Sequence, residues 1–129
     1  MGQSFNEPFL PLVAATGDAD EAAPQALSGR LPSYISDHRQ RLRERFVQGG
    51  GAALPDYELL ELVLFRAIPR QDVKPLARLL LDTFGDFNRV ITASPARLQM
   101  VKGAGPAVVL ELKLVEAAAQ RMMRARVLQ

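Results

Sequence analysis

From about residue 36 the apolar positions of this chain recur at helical spacing, and no stretch shows the strict alternation of a strand. Ile35, Leu42 and Phe46 mark a narrow apolar stripe on a helix over residues 36–48, with Ser36 or Asp37 at its start and Gly49-Gly50-Gly51 at its end. Pro55-Asp56-Tyr57-Glu58 opens a second helix, proline at or near its first position and acids in its first turn. Leu59, Leu60, Leu62, Val63, Leu64 and Phe65 then cover most of its circumference, which predicts a place at the centre of a bundle. Ile68-Pro69-Arg70-Gln71 breaks the pattern, and Asp72 can cap a third helix that turns Leu76, Leu79, Leu80 and Phe84 inward and stops at Gly85. A short helix near residues 87–91 and another over 96–100, opened by Ser94-Pro95, lead to a long one from Pro106 to about Arg126. Val108, Leu112, Val115, Ala119 and Met122 are its predicted inner side. The expected fold is all-α: a compact bundle of five or six helices over residues 34–126. Residues 1–33 mix Pro, Gly, Ala, Ser and acids without a sustained period and predict a flexible leader.

One turn organises the rest. Leu98 and Val101 run into Gly103-Ala104-Gly105, and an apolar helix begins at once with Pro106. A bend this tight needs a residue at positive φ, which glycine adopts without a Cβ clash. The unpaired N–H groups of the following first turn carry the positive end of the helix dipole, which suits an anion such as phosphate, and Lys102 adds a cation beside them. Closing a helical hairpin is the plainer use of Gly-x-Gly. Leu98, Val101, Val108, Leu112 and Val115 supply the seam such a hairpin needs. Residues 59–84 read as a degenerate copy of 96–120, with Pro69-Arg70-Gln71 in the place of Gly103-Ala104-Gly105.

Composition narrows the chemistry. The 129 residues contain no cysteine and one histidine, His38, so thiolate sites and a histidine-rich metal centre are excluded. No apolar run approaches the length of a membrane span, and Pro8 and Pro11 interrupt the one apolar stretch near the N-terminus. No basic region precedes that stretch, so a secretory signal is not expected. Met1-Gly2 opens like a myristoylation signal, but Asn6 stands where Ser or Thr is wanted. The expected location is the cytoplasm. Net charge is +2, but residues 1–33 hold four acids and one base, for −3, which leaves +5 on the remaining 96 residues. A mildly basic folded part suits a nucleic-acid partner held weakly and salt-sensitively. Arg39, Arg41, Arg43 and Arg45 give the first helix a second candidate phosphate-tracking face, although Asp37 and Arg41 can pair and a charge-rich helix is more often simply solvated.

His38-Arg39-x-Arg41-Leu42-x-x-Arg45-Phe46, then Leu54-Pro55-Asp56-Tyr57-Glu58-Leu59-Leu60-Glu61-Leu62, resembles the N-terminal (UPF0758) region of the RadC family. Ile68-Pro69-Arg70-x-Asp72-x-Lys74-Pro75-Leu76-Ala77 and Val101-Lys102-Gly103-x-Gly105 continue the match in order. The resemblance covers about residues 34–126 and implies a helix-hairpin-helix module associated by name with DNA repair. In that family the module precedes a JAB/MPN metalloprotease-like domain with a His-x-His zinc motif, which cannot exist here because His38 is the only histidine. Zinc hydrolase activity, if the family has it, belongs to that other domain. The hairpin also occurs in DNA glycosylases, whose lyase-type members carry a catalytic lysine two positions past the second glycine and an aspartate further on. Here that position is Ala107, no Asp follows Gly105, and Lys113 and Glu116 stand at other offsets. No cofactor, metal or catalytic residue is expected.

The preferred expectation is therefore a non-enzymatic, largely sequence-independent DNA-binding module. The turn Lys102-Gly103-Ala104-Gly105 would hold backbone phosphate, with a weaker contact at Arg70 and Lys74. The first turn Pro106-Ala107-Val108-Val109 offers no Lys, Arg or Thr, and its apolar side chains suit a protein contact instead. The competing expectation is an interaction or regulatory scaffold for a JAB/MPN-like domain or another protein.

Overall fold

The computed structural model describes residues 31–128, all of whose regular structure is helical. Six α-helices follow one another: α1 (Ser33–Gly49), α2 (Asp56–Ala67), α3 (Lys74–Phe84), α4 (Phe87–Thr92), α5 (Pro95–Gln99) and α6 (Pro106–Leu128). A 3₁₀ turn, Gly51–Ala53, joins the first two. The expected all-α bundle is the observed one. Ser33 already lies in α1, and the rest of the predicted leader falls outside the described residues except for Leu31 and Pro32.

Local chemistry sets the helix ends. Gly50, Gly85 and Gly103 take positive φ (73°, 112° and 95°) in the segments that follow α1, α3 and α5. Asp86 accepts from the Arg89 N–H at 2.7 Å and Ser94 from the Arg97 N–H at 3.2 Å, so α4 and α5 each start on a side-chain cap. Two long-range bonds fix the short α4. The Phe87 N–H donates to Asp56 at the start of α2 (3.1 Å), and Lys113 of α6 donates to the Ile91 carbonyl at 2.9 Å. Lys113 also pairs with Glu116 at 2.9 Å.

Helix α2 lies at the centre, against α1, α3, α4 and α6. Its Leu60 and Leu64 meet Leu42, Leu80, Val90, Leu98 and Leu112 in a core where each is at most 1% exposed. Fully burying one such leucine is worth about 1.5–3 kcal/mol. The inner side of α6 ends sooner than its period predicts: Val108 and Leu112 are buried and Val115 half-buried, but Met122 is 53% exposed. The apolar period runs on where α6 has already passed the end of the bundle. Phe46 is likewise exposed, while Ile35 and Leu42 of the same stripe are buried. Among the described residues no helix is long and apolar enough to cross a membrane.

Candidate nucleic-acid interface

The two helical hairpins have turns of equal length, Ile68–Val73 between α2 and α3 and Met100–Gly105 between α5 and α6. Each following helix closes its first backbone bond on the last turn residue: Ala77 N–H to the Val73 carbonyl (2.9 Å) and Val109 N–H to the Gly105 carbonyl (3.1 Å). These bonds fix the register at an offset of 32 residues, so Gln71-Asp72-Val73 occupies the place of Gly103-Ala104-Gly105, with Arg70 opposite Lys102. The sequence had suggested Pro69-Arg70-Gln71 for that place. In that register Pro69-Arg70-Gln71 lies two positions too early.

At the glycine-rich turn, Val101 and Ala104 are buried, and the Ala104 N–H is spent internally on the Val101 carbonyl at 3.0 Å. Lys102, Gly103, Gly105 and Ala107 are exposed, and Lys102 has no ion-pair partner among the described residues. Gly103 is required by its backbone: φ is +95°, and a Cβ would only touch Leu76 of α3 at an ordinary 3.6 Å. Gly105 differs. Its φ is not positive, and a Cβ there would meet nothing within 4 Å. Neither strain nor internal packing calls for glycine at that point. A side chain at Gly105 would enter open space, and the Gly105 and Ala107 N–H groups have no partner among the described residues.

The other turn is arranged in the opposite sense. Asp72 accepts from the Lys74 N–H at 3.0 Å and lies 3.9 Å from the Lys74 ammonium, so the start of α3 already holds a carboxylate of its own chain. Arg70 is exposed at the tip of this turn.

The four arginines of α1 do not share a face. Arg39 is 4% exposed and reaches across to the α2–α3 turn, donating to the carbonyls of Ile68 (2.7 Å), Pro69 (3.2 Å) and Gln71, with its guanidinium 4.6 Å above the Phe65 ring. Burial, then the nearby Arg43, draws its pKa below the ordinary guanidinium value, while Asp72 and Glu61 act the other way. Arg43 lies over the same ring at 5.2 Å, and Arg45 grips Glu58 with two bonds of 2.8 and 3.0 Å. Arg41 is exposed without an ion-pair partner among the described residues, and the anticipated Asp37–Arg41 pair is not formed. Arginines two apart stand about 200° apart around a helix, which is why the run divides into different tasks.

Next to Arg39, His38 meets the fully buried Glu61 at 3.2 Å. Burial raises the Glu61 pKa against the opposing pull of His38 and Lys74. Glu61 sits in the leucine run of α2, where sequence periodicity offers no sign that a carboxylate is enclosed. Sequence reasoning also passed over Arg97 and Met100, which belong to the short α5 and its exit. Arg97 lies 5.2 Å over the Phe84 ring, and Met100 is 84% exposed beside Lys102. Together with Leu79 and Thr83 of α3 they line a groove of about 370 Å³. Among the described residues no group of three or more metal-ligating side chains is placed to hold an ion.

An all-α domain of two helical hairpins, one with an open first turn and the other with its turn closed by Asp72, defines the class. The chain belongs to the UPF0758 N-terminal family, whose model matches residues 36–110. A UPF0758 protein of Ruegeria pomeroyi is 76% identical over 99 residues, 77% of this chain and 44% of that protein. A UPF0758 protein of Rhodobacter capsulatus is 72% identical over 88 residues, 68% of this chain and 41% of that protein. The chain thus spans less than half the length of these curated relatives. No solved structure matches it significantly.

Proposed function

We propose that residues 34–126 form a non-enzymatic DNA-binding module of RadC-like, repair-associated type, which holds backbone phosphate at the α5–α6 turn. The carrying observation is the open first turn of α6, where the Gly105 and Ala107 N–H groups have no partner among the described residues, a side chain at Gly105 would meet nothing, and the exposed Lys102 forms no ion pair among the described residues. The α2–α3 turn supports the reading by contrast: there Asp72 of the chain itself accepts from the first N–H of the following helix. Arg70 and Lys74 make a weaker second contact, since Asp72 offsets the lysine charge. Gly103 shapes the turn and Ala104 anchors it to the core. Arg39 serves the interface only by holding the carbonyls behind Arg70, and Arg41 is the α1 arginine left for phosphate. Contacts to phosphate position a protein without reading bases, so little sequence preference is expected. Any hydrolase chemistry resides in a JAB/MPN-like domain outside this chain.

Titration of fluorescent duplex DNA at several salt concentrations tests the reading. Binding at low salt that weakens linearly in log salt supports it. A folded domain that leaves the duplex unbound at low ionic strength overturns it. In that event the second reading, a scaffold for another domain or protein, takes its place. The feature favouring that second reading is the outer side of α6, where Leu110 and Leu114 are 64% and 59% exposed.

A further inference from the structure

The groove beside the open turn has a composition that phosphate binding does not explain. Its walls are Leu79 (41% exposed), Phe84 and Met100 (84% exposed), and its charged members are Arg97 and Lys102, with no acid among the lining residues. The adjoining hollow along α3 shares Leu79 but includes Asp72 and Asp82. Met100 is no loose end. Its N–H bonds to the Arg97 carbonyl at 3.2 Å, and Val101 behind it is buried and bonded to Leu98 at 3.0 Å. The structure therefore holds a large apolar side chain out in solvent on a firm mount. Arg97 lies over Phe84, its guanidinium carbon 5.2 Å from the ring centre.

We propose that this groove takes an unstacked nucleobase, so that the domain prefers duplex DNA interrupted by an unpaired nucleotide to continuous duplex. The inference rests on the DNA-binding reading of the adjacent turn and adds the form of DNA it selects. Charge decides the occupant: two cations and no acid surround an apolar slot, which matches a base with phosphates on either side. Met100 and Leu79 offer the base an apolar surface, and the Arg97 guanidinium gives its edge a charged donor. The flanking phosphate reaches Lys102 and the Gly105 and Ala107 N–H groups. In a continuous duplex the same contact requires a base step to be opened at a cost of a few kcal/mol, whereas an unpaired nucleotide has met that cost beforehand.

The test compares two labelled duplexes of about 20 base pairs, identical except for one unpaired adenine, against the full chain and against Met100→Ser. Met100 is exposed, so the variant keeps the fold, checked by helical circular dichroism. Base stacking of the usual strength gives the unmodified protein a preference of about fivefold or more for the bulged duplex. Met100→Ser removes that preference and leaves affinity for the continuous duplex and its salt slope unchanged. Equal affinity for the two duplexes overturns this inference while leaving the phosphate reading standing. A preference that survives both Met100→Ser and Leu79→Ser also overturns it, since the groove is then not the selector. Absence of binding to either duplex at low salt removes the phosphate reading, and this inference with it.

Discussion

Replacing Gly105 by aspartate brings a carboxylate to the start of α6, as Asp72, one register position earlier, does at the start of α3. The backbone at 105 is not at positive φ, and a side chain there meets nothing within 4 Å, so the substitution carries no steric penalty. Gly105 is the residue whose carbonyl accepts the first bond of α6, from Val109, which makes it the cap. Aspartate improves on glycine at a cap by a few tenths of a kcal/mol, and its charge at a helix N-terminus adds about 0.3–1 kcal/mol. The domain should gain about 0.5–1 kcal/mol, which for a unit of this size raises Tm by about 2–6 °C. The same carboxylate occupies the space assigned to a DNA phosphate and repels it. Losing one charge-assisted contact of about 1.5 kcal/mol or more reduces affinity roughly tenfold, and the log–log salt slope shrinks by about 0.9. Thermal unfolding and fluorescence anisotropy on one preparation read both effects. Opposite signs are what the reasoning requires: a higher Tm together with unchanged DNA affinity would refute it.

Other substitutions test the support around the site. Arg39→Met removes two close charge-assisted bonds to the α2–α3 turn, whose half-buried carbonyls lose their donors, and should cost about 3 kcal/mol in urea unfolding. Arg39→Lys retains the charge but not the fan of donors, and should lose most of the same amount. Burial raises the Glu61 pKa, so in the window above the ordinary glutamate value of 4.5 the folded state binds more protons than the unfolded one. Relative to Glu61→Gln, the natural protein should therefore lose stability as pH rises through that window, and urea titrations at stepped pH measure it. Lys102→Gln should weaken all duplexes alike and reduce the salt slope by about 0.9 without changing Tm, whereas a sequence-dependent loss would contradict a phosphate role.

Most of the helical frame is legible in the sequence because its signals are local. Ser94-Pro95, Gly85 and Pro106 stand where the chain changes direction, and the leucine run of α2 is apolar on nearly every side because four helices surround it. Residue roles set by distant neighbours are not legible in the same way. Arg39 looks like one cation in a basic run until α1 packs beside the turn at Ile68–Gln71 and carries it indoors. Glu61 is enclosed because His38 arrives from another helix. The period of α6 marks an inner side that outlasts the bundle, so Met122 emerges into solvent. At the turn itself, the need for glycine at 103 follows from bend geometry. That Gly105 is free of any such need, and the start of α3 already filled by Asp72, emerge only from coordinates.

The central claim is that the α5–α6 turn meets DNA phosphate through its backbone, and amide chemical shifts observe that contact directly. With the ¹⁵N-labelled domain titrated at low salt with a short duplex, the account predicts the largest shifts at Lys102, Gly103, Gly105 and Ala107, reversed by added salt. Shifts gathered on another surface, with these amides unmoved at saturation, would contradict it.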